Sequence, residues 1–126
     1  MRVLIDTIAF VMGVKFPERL SRSALHTMQN TDVVRELSAV SLTEIATKAA
    51  IGRLKFTRED VLQGVADLQL RLLPFTPDHA WGLFDLPLHH RDPFDRQIIA
   101  QALAEKIPVV TCDQQFRLYK ALTVIW

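Results

Sequence analysis

Two short apolar runs near opposite ends of the chain constrain its fold most strongly. Residues 2–5 and 107–111 are rich in Val, Leu and Ile, which predicts a buried strand at each place. Several stretches with helical spacing of apolar residues lie between these two runs. Because strands that alternate with helices favour parallel pairing, we predict an α/β domain with helices around a central, mainly parallel sheet.

Capping and turn residues set the boundaries of the other predicted elements. Ser21, Thr57 and Asp92 are typical N-cap residues, and Ser41 to Glu44 has the spacing of a capping box. Gly52 is a natural stop for the helix after that box. The predicted helices are 8–14, 22–29, 45–51, 58–71, 77–84 and 93–103, with an extended link at 73–75 and further strands within 33–40 and at 123–126.

The composition limits the class of protein. A chain of 126 residues, 49% of them apolar, fits one domain over residues 1–126 with a real hydrophobic core. No apolar run approaches the roughly 20 residues of a membrane span, and Asp6 comes too early for a signal peptide. Cys112 is the only cysteine, so we expect a protein of the reducing cytoplasm without disulfides. The net charge of +1 gives no bulk attraction to nucleic acid, which leaves only local patches for such binding.

The stretch that follows Asp92 is the best-defined helix start in the chain. Asp92 stands at the N-cap position and Pro93 at the first helical position, where its missing N–H does no harm. Ile98 and Ile99 then mark the buried face, and Asp95 lies one turn before them at its border. Asp95 is therefore either a first-turn acid favoured by the helix dipole or a ligand of a cation shared with other acids.

Four acidic residues are predicted to meet at one edge of the sheet. Asp6 and Asp113 directly follow the two apolar runs, and ligands of such sheets bind at the carboxyl ends of the strands. Glu44 and Asp95 lie in the first turn of predicted helices that can reach the same edge. Because clustered acids repel one another without a cation, the arrangement favours a Mg²⁺ or Mn²⁺ site. Taken singly, each acid also fits a cap or a turn, so only the whole cluster supports a metal site.

The four acids belong to four short motifs. They are Asp6-Thr7, Ser41-Leu42-Thr43-Glu44-Ile45, Asp92-Pro93-Phe94-Asp95-Arg96-Gln97-Ile98-Ile99-Ala100-Gln101-Ala102 and Val110-Thr111-Cys112-Asp113. In order and spacing these motifs resemble those of PIN-domain ribonucleases, and most closely the VapC-type toxins of bacterial type II toxin–antitoxin pairs. The resemblance extends over nearly the whole chain, and its most specific part is the block 90–102.

The resemblance implies a fold, an activity and partners. The fold would be a three-layer α/β/α PIN-like domain, and the activity would be metal-dependent hydrolysis of RNA phosphodiester bonds. Asp6, Glu44, Asp95 and Asp113 would be the catalytic residues that hold Mg²⁺ or Mn²⁺, with Asp92 serving as the helix cap. The implied partners are an RNA substrate, a cognate antitoxin protein and a second copy of the chain in a homodimer.

Two positions depart from the family pattern and leave other functions open. Many relatives carry His at the position of Ile8 and an aromatic residue at that of Thr43. One alternative is a catalytically inactive PIN-fold module that binds RNA or protein. A second is a metal-dependent phosphatase that acts on small substrates.

Basic residues flank the predicted metal site. Arg91 and Arg96 lie on either side of the Asp-Pro-Phe-Asp run and are candidates for contacts with RNA phosphates; Arg96 fits a pair with a nearby acid equally well. His89 and His90 precede the same run and fit either a solvated loop or a contact with a ligand.

Overall fold

One sheet of five parallel strands organises the computed structural model, which describes residues 1–126. The strands are β1 (Arg2–Ile5), β2 (Val34–Ser38), β3 (Arg71–Leu73), β4 (Val109–Val110) and β5 (Val124–Ile125). Their spatial order is β3-β2-β1-β4-β5, which makes β1 the central strand. Ile5, the last residue of β1, is in register with Leu37 of β2 and Val110 of β4. The carboxyl ends of these three strands therefore meet beside Asp6.

Six α-helices connect the strands. They are α1 (Thr7–Lys15), α2 (Arg22–Gln29), α3 (Ala39–Ala50), α4 (Arg58–Asp67), α5 (Pro77–Trp81) and α6 (Pro93–Glu105), with short 3-10 helices at Pro17–Arg19, Gly82–Phe84 and Gln114–Leu118. None of the helices combines the length and the apolar content that a membrane crossing requires.

The alternation of side chains along β1 divides the core into two layers. Leu4 packs in one buried cluster with Ile98 and Ile99 of α6. Val3 and Ile5 point to the other face and pack with apolar residues of α1 to α4. Helices thus cover both faces of an all-parallel sheet, as burial of both faces requires. The predicted three-layer α/β/α architecture is confirmed.

The predicted N-caps of α2, α4 and α6 are confirmed. The Ser21 hydroxyl accepts a hydrogen bond from the Ala24 N–H at 3.1 Å, and the Thr57 hydroxyl accepts one from the Asp60 N–H at the same distance. Asp92 Oδ1 accepts from the backbone of residues 94 and 95 at 2.8 and 3.1 Å. These caps depend on contacts two or three residues away, which is why the local sequence was sufficient to predict them.

The predicted capping box of Ser41 and Glu44 is wrong. Helix α3 begins at Ala39, because the Ser38 hydroxyl accepts from the Val40 N–H at 3.0 Å and the chain passes from β2 into the helix without a loop. Ser41 lies inside the helix, where its hydroxyl accepts a hydrogen bond from Thr7 Oγ1 at 2.9 Å. Glu44 consequently belongs to the second turn of α3 and not to the first.

The helix predicted over 58–71 is shorter than expected, and a strand was missed. Helix α4 ends at Asp67, and Gln69 then adopts a left-handed conformation with φ of 52°. This reversal lets Arg71–Leu73 pair with β2 as the edge strand β3. Three residues are too few for the alternation of polar and apolar side chains to reveal a strand.

Candidate active site

Asp6 joins the central strand to the first helix and is almost completely buried. As the N-cap of α1, its Oδ1 accepts a hydrogen bond from the Ala9 N–H at 2.7 Å, and its Oδ2 accepts one from Thr111 Oγ1 at 2.5 Å. Burial is the largest cause that raises the pKa of Asp6 to about 7; the charges of Glu44 and Asp113 act in the same direction. The two hydrogen bonds lower the pKa but do not offset the burial.

Asp113 is tied to Asp6 through one threonine side chain. The Asp113 N–H donates to Thr111 Oγ1 at 3.0 Å, and the same hydroxyl donates to Asp6. Asp113 Oδ1 also accepts from the Gln115 N–H at 2.9 Å and so caps the 3-10 helix that follows. The ends of β1 and β4 thus hold the two carboxylates at one edge of the sheet, linked through Thr111.

Asp95 enters the same group of acids from the first turn of α6. Its carboxylate is only 16% exposed, and burial is the largest cause that raises its pKa to about 7. The charges of Asp92, Glu44 and Asp6 also raise this pKa, whereas His90 lowers it. Asp95 therefore lies within electrostatic reach of both Asp6 and Glu44.

Glu44 is the fourth predicted acid, and its side chain is 3% exposed. Its Oε2 pairs with Lys48 Nζ, one turn further along α3, at 2.5 Å. Its Oε1 is buried and has no hydrogen-bond partner, an arrangement that is costly for a carboxylate. The pair raises the pKa of Lys48, chiefly through the hydrogen bond with Glu44, and the charges of Asp92 and Asp95 add to that effect.

His90 belongs to the site, whereas the sequence left it between a solvated loop and a contact with a ligand. Its Nε2 lies 2.8 Å from Asp113 Oδ2 and 3.3 Å from Asp95 Oδ2. The ring is buried and stands edge-on to Phe116, with a centroid distance of 5.6 Å. The one sequence signal was its place two residues before the cap Asp92, whose N–H donates to His90 Nδ1 at 3.2 Å.

Arg96 and Arg91 differ in their surroundings. The Arg96 guanidinium donates to the backbone carbonyls of Leu86, Pro87 and His90 at 3.0 to 3.1 Å. Arg96 thus fixes the loop before α6, a use that differs from the phosphate contact predicted for it. Arg91 is exposed at the surface beside this loop.

A family model assigns the chain to a known class of domain. The model of the PIN domain matches residues 3–122, which is nearly the whole chain. The chain belongs to the PIN domain family. The comparison with curated proteins produced no match.

Solved structures resemble this PIN domain in fold. VapBC2 from Rickettsia felis, bound to a DNA fragment from its promoter, has a TM-score of 0.74 at 16% identity, covering 98% of this chain and 97% of that chain. VapBC from Salmonella typhimurium, bound to DNA, has a TM-score of 0.67 at 15% identity, with coverage of 98% and 96%. VapBC-5 from Mycobacterium tuberculosis, a member of the VapBC family of toxin–antitoxin systems, has a TM-score of 0.60 at 20% identity, with coverage of 98% and 97%.

The donor set of this PIN domain fits a hard divalent cation. Glu44 Oε1 is buried without a partner, and burial raises the pKa of both Asp6 and Asp95, with neighbouring carboxylates adding to the effect. Ligand atoms of His90, Asp95 and Asp113 all lie within 4.8 Å of one another. Carboxylate oxygens in such a cluster are the ligands that Mg²⁺ and Mn²⁺ prefer.

Proposed function

We propose that this PIN domain is a Mg²⁺- or Mn²⁺-dependent endoribonuclease and the toxin of a toxin–antitoxin pair. The observation that supports the proposal most strongly is geometric: ligand atoms of His90, Asp95 and Asp113 lie within 4.8 Å of one another, and Glu44 Oε1 is buried without a partner. Burial and the neighbouring carboxylates also raise the pKa values of Asp6 and Asp95, so the charged forms of these acids are costly. A divalent cation would offset the cost of burying these charges. A cluster of acids that served only the stability of the fold would gain nothing from that cost.

In this proposal the residues of the chain hold the ion and orient its ligands. Asp6, Glu44, Asp95 and Asp113 would be the ligands, directly or through water. When bound, the ion would supply Lewis-acid stabilisation of the phosphodiester and lower the pKa of a water molecule. Thr111 fixes the orientation of Asp6, while the backbone N–H of Gln115 fixes Asp113 Oδ1. Lys48 leaves Glu44 Oε1 free to face the ion.

An RNA substrate requires positive charge beside the acidic site. Arg91 is exposed next to the loop that carries His90, so we propose it as a phosphate contact. Arg96 supports this contact indirectly because it fixes the same loop. An RNA target would place the activity in the cytoplasm.

We also propose an antitoxin partner and a homodimer. An apolar groove of about 400 Å³ lies between α3 and α4, on the helix that carries Glu44, and offers a surface for an antitoxin segment. The rings of Trp81 and Phe84 stack with a centroid distance of 5.6 Å, and the two residues are 66% and 81% exposed. They therefore lie outside the hydrophobic core, and their exposed rings suit a contact between subunits. The similarity to VapBC structures supports the antitoxin partner by analogy.

Cleavage of total RNA by the purified protein tests the proposed activity. We expect cleavage with Mg²⁺ or Mn²⁺, none with EDTA, and loss of cleavage in Asp95→Asn. Asp92→Asn is the matched control, since it removes a neighbouring charge but keeps a good N-cap. Cleavage that continues in EDTA or in Asp95→Asn contradicts the proposed metal site.

Expression without a partner tests the proposed role as a toxin. We expect growth arrest with the wild-type chain and normal growth with Asp6→Asn, because the amide keeps the shape of the carboxylate but loses its charge. Arrest that persists with a folded Asp6→Asn variant would indicate a non-catalytic binding module instead.

A further inference from the structure

We propose that His90 is a positioning residue that aligns the Asp95 and Asp113 carboxylates for the metal ion, as a hydrogen-bond donor and not as a ligand. The inference rests on the proposed function, since it concerns the same site. Its basis is the shared contact of His90 Nε2 with both carboxylates, at 2.8 Å to Asp113 and 3.3 Å to Asp95. The Nε2–H group thereby donates to Asp113 and lies beside Asp95, between two acids that would otherwise repel each other.

The proton of His90 can be located from its other ring nitrogen. Nδ1 accepts a hydrogen bond from the Asp92 N–H, so Nδ1 carries a lone pair and no proton. A neutral imidazole with an unprotonated Nδ1 carries its proton on Nε2. Nε2–H therefore points at Asp113 Oδ2, and Asp95 Oδ2 lies 3.3 Å from the same nitrogen. Coordination of a metal by Nε2 would move the proton to Nδ1, where it would meet the Asp92 N–H.

The backbone around His90 is fixed independently of the site. The His90 N–H donates to the Tyr119 hydroxyl at 2.9 Å, and that hydroxyl donates to the Pro87 carbonyl at 2.7 Å. Arg96 binds the His90 carbonyl at 3.1 Å. His90 is thus held at its N–H, at its carbonyl and at Nδ1 of its ring, and these three contacts fix the position of Nε2–H without a metal ion.

This arrangement orients the two carboxylates. Asp113 Oδ1 is held by the Gln115 N–H and Oδ2 by His90, which leaves the remaining lone pairs in fixed directions. Asp95 Oδ2 lies 3.3 Å from the same nitrogen, so the imidazole stands between the two carboxylates. Hydrogen bonds to metal-ligating carboxylates commonly change metal affinity by 10- to 100-fold when they are removed.

A second histidine in the molecule provides an internal control. His79 Nδ1 accepts from the Thr76 N–H at 3.0 Å, and its Nε2 lies 2.8 Å from Glu105 Oε2. The bonding pattern is the same as that of His90. Glu105, however, is already paired with Arg2, so His79 adjoins no group of uncompensated acids.

Two amide variants separate the donor function of His90 from its acceptor function. His90→Gln places an amide N–H near the position of Nε2 and gives up the contact with the Asp92 N–H. His90→Asn keeps an oxygen near the position of Nδ1 but cannot reach the carboxylates. The affinities of the RNA-free proteins for Mn²⁺ and for Mg²⁺ are measured by calorimetry, with His79→Asn as the control and thermal unfolding to establish folding.

The proposal predicts a defined pattern of affinities. We expect His90→Asn to weaken Mn²⁺ and Mg²⁺ binding equally, by about 10- to 100-fold. His90→Gln should remain within a few-fold of wild type, and His79→Asn should equal wild type. Tyr119→Phe, which frees the His90 loop but leaves the imidazole intact, should weaken both ions by a smaller factor. If His90→Asn does not fold, this Tyr119 variant decides the question.

Other patterns overturn the proposal. A larger loss for Mn²⁺ than for Mg²⁺ in both amide variants would make His90 a ligand, because nitrogen ligands favour Mn²⁺. If a folded His90→Asn variant bound the ions as tightly as wild type, the contact of His90 with the carboxylates would be only structural. If His90→Asn does not fold, the same conclusion would follow from wild-type affinity in Tyr119→Phe. Failure of the wild-type protein to bind either ion would instead reject the metal site of the proposed function, and the positioning role with it.

Discussion

Negative charge is compensated at one end of β1 and left largely uncompensated at the other. Where β1 begins, Arg2 pairs with Glu36 at 2.5 Å and with Glu105 at 2.9 Å, and His79 also contacts Glu105. The hydrogen bond from His79 and then that from Arg2 lower the pKa of Glu105. Where β1 ends, Asp6 has a pKa raised to about 7.

The difference lies in the number of acids that share each cation. Arg2 pairs with both carboxylates at the first end, whereas Lys48 pairs with only one of the four acids at the second. One buried oxygen is without a partner at each end, on Glu36 and on Glu44, so unmatched oxygens alone do not distinguish them. The first end stabilises the fold by itself, and the second is suited to an external cation.

The pH dependence of stability should show the largest contrast between the two ends. Because the pKa of Asp6 is raised to about 7, the folded state keeps a proton that the unfolded chain loses near pH 4. The stabilising contribution is complete below pH 4 and is lost as the pH rises through 7. A shift of about 3 units corresponds to about 4 kcal/mol at most.

Urea unfolding in EDTA between pH 4 and 8 measures this contribution. Asp6→Asn should flatten the loss of stability between pH 4 and 7, and Mg²⁺ should restore wild-type stability at pH 8. An unchanged pH profile in Asp6→Asn would refute the claim that its charge is uncompensated.

Removing the cation at the first end should be the next largest effect. Arg2→Met leaves Glu36, which is 1% exposed, with a buried charge and should lower the free energy of unfolding by roughly 2–3 kcal/mol. The loss stays below that of a fully buried pair because Arg2 itself is 35% exposed. Urea unfolding should show the same loss with and without Mg²⁺. If Mg²⁺ restored the stability of Arg2→Met, the first end of β1 would also respond to an external cation, which would contradict the proposed difference between the two ends.

Two variants of Asp92 should separate its role as the N-cap of α6 from the effect of its charge on the neighbouring acids. Asp92→Ala removes the acceptor for two N–H groups of α6 and should cost about 1 kcal/mol. Asp92→Asn keeps the cap and relieves the repulsion on Asp95, so the metal-free protein should lose almost no stability at pH 7. Thermal unfolding of both variants checks this order, and equal losses would show that the charge of Asp92 is needed.

Lys48→Met should give the smallest effect. The Lys48 side chain is 38% exposed, so its pair with Glu44 contributes less than about 1 kcal/mol to stability. Loss of this internal cation should nevertheless tighten Mg²⁺ binding, because Mg²⁺ would no longer compete with Lys48 for the Glu44 carboxylate. Calorimetry detects the change, and weaker Mg²⁺ binding would mean that Lys48 supports the ion instead of competing with it.

The parts of the fold that depend on local contacts were predictable from the sequence. The cap of α6 by Asp92 and the strand that ends before Asp6 follow from residues within one turn or one run. Ser38 and Ser41 are equally good cap residues, and only the end of β2 decides that Ser38 starts α3. That choice depends on pairing between distant strands, which the local pattern does not contain.

The sequence offered the four acids as candidates but not the contacts that support them. Asp6 and Asp113 follow apolar runs, and this position identifies the sheet edge. His90 reaches the site because Arg96 and the Tyr119 hydroxyl, which is 29 residues away, shape its loop. No spacing rule links such residues, so the sequence alone left His90 between a solvated loop and a ligand contact.

The hydrogen bond between Thr111 and Asp6 joins residues 105 positions apart. During synthesis the ribosome releases Asp6, Glu44 and Asp95 well before β4 can take its place beside β1. A nascent chain therefore carries three of the four acids without the geometry that would let them act together, since contacts of such long sequence separation form late. Premature termination or a proteolytic cut before residue 109 should yield an inert fragment, which would protect a cell from the unfinished products of its own translation.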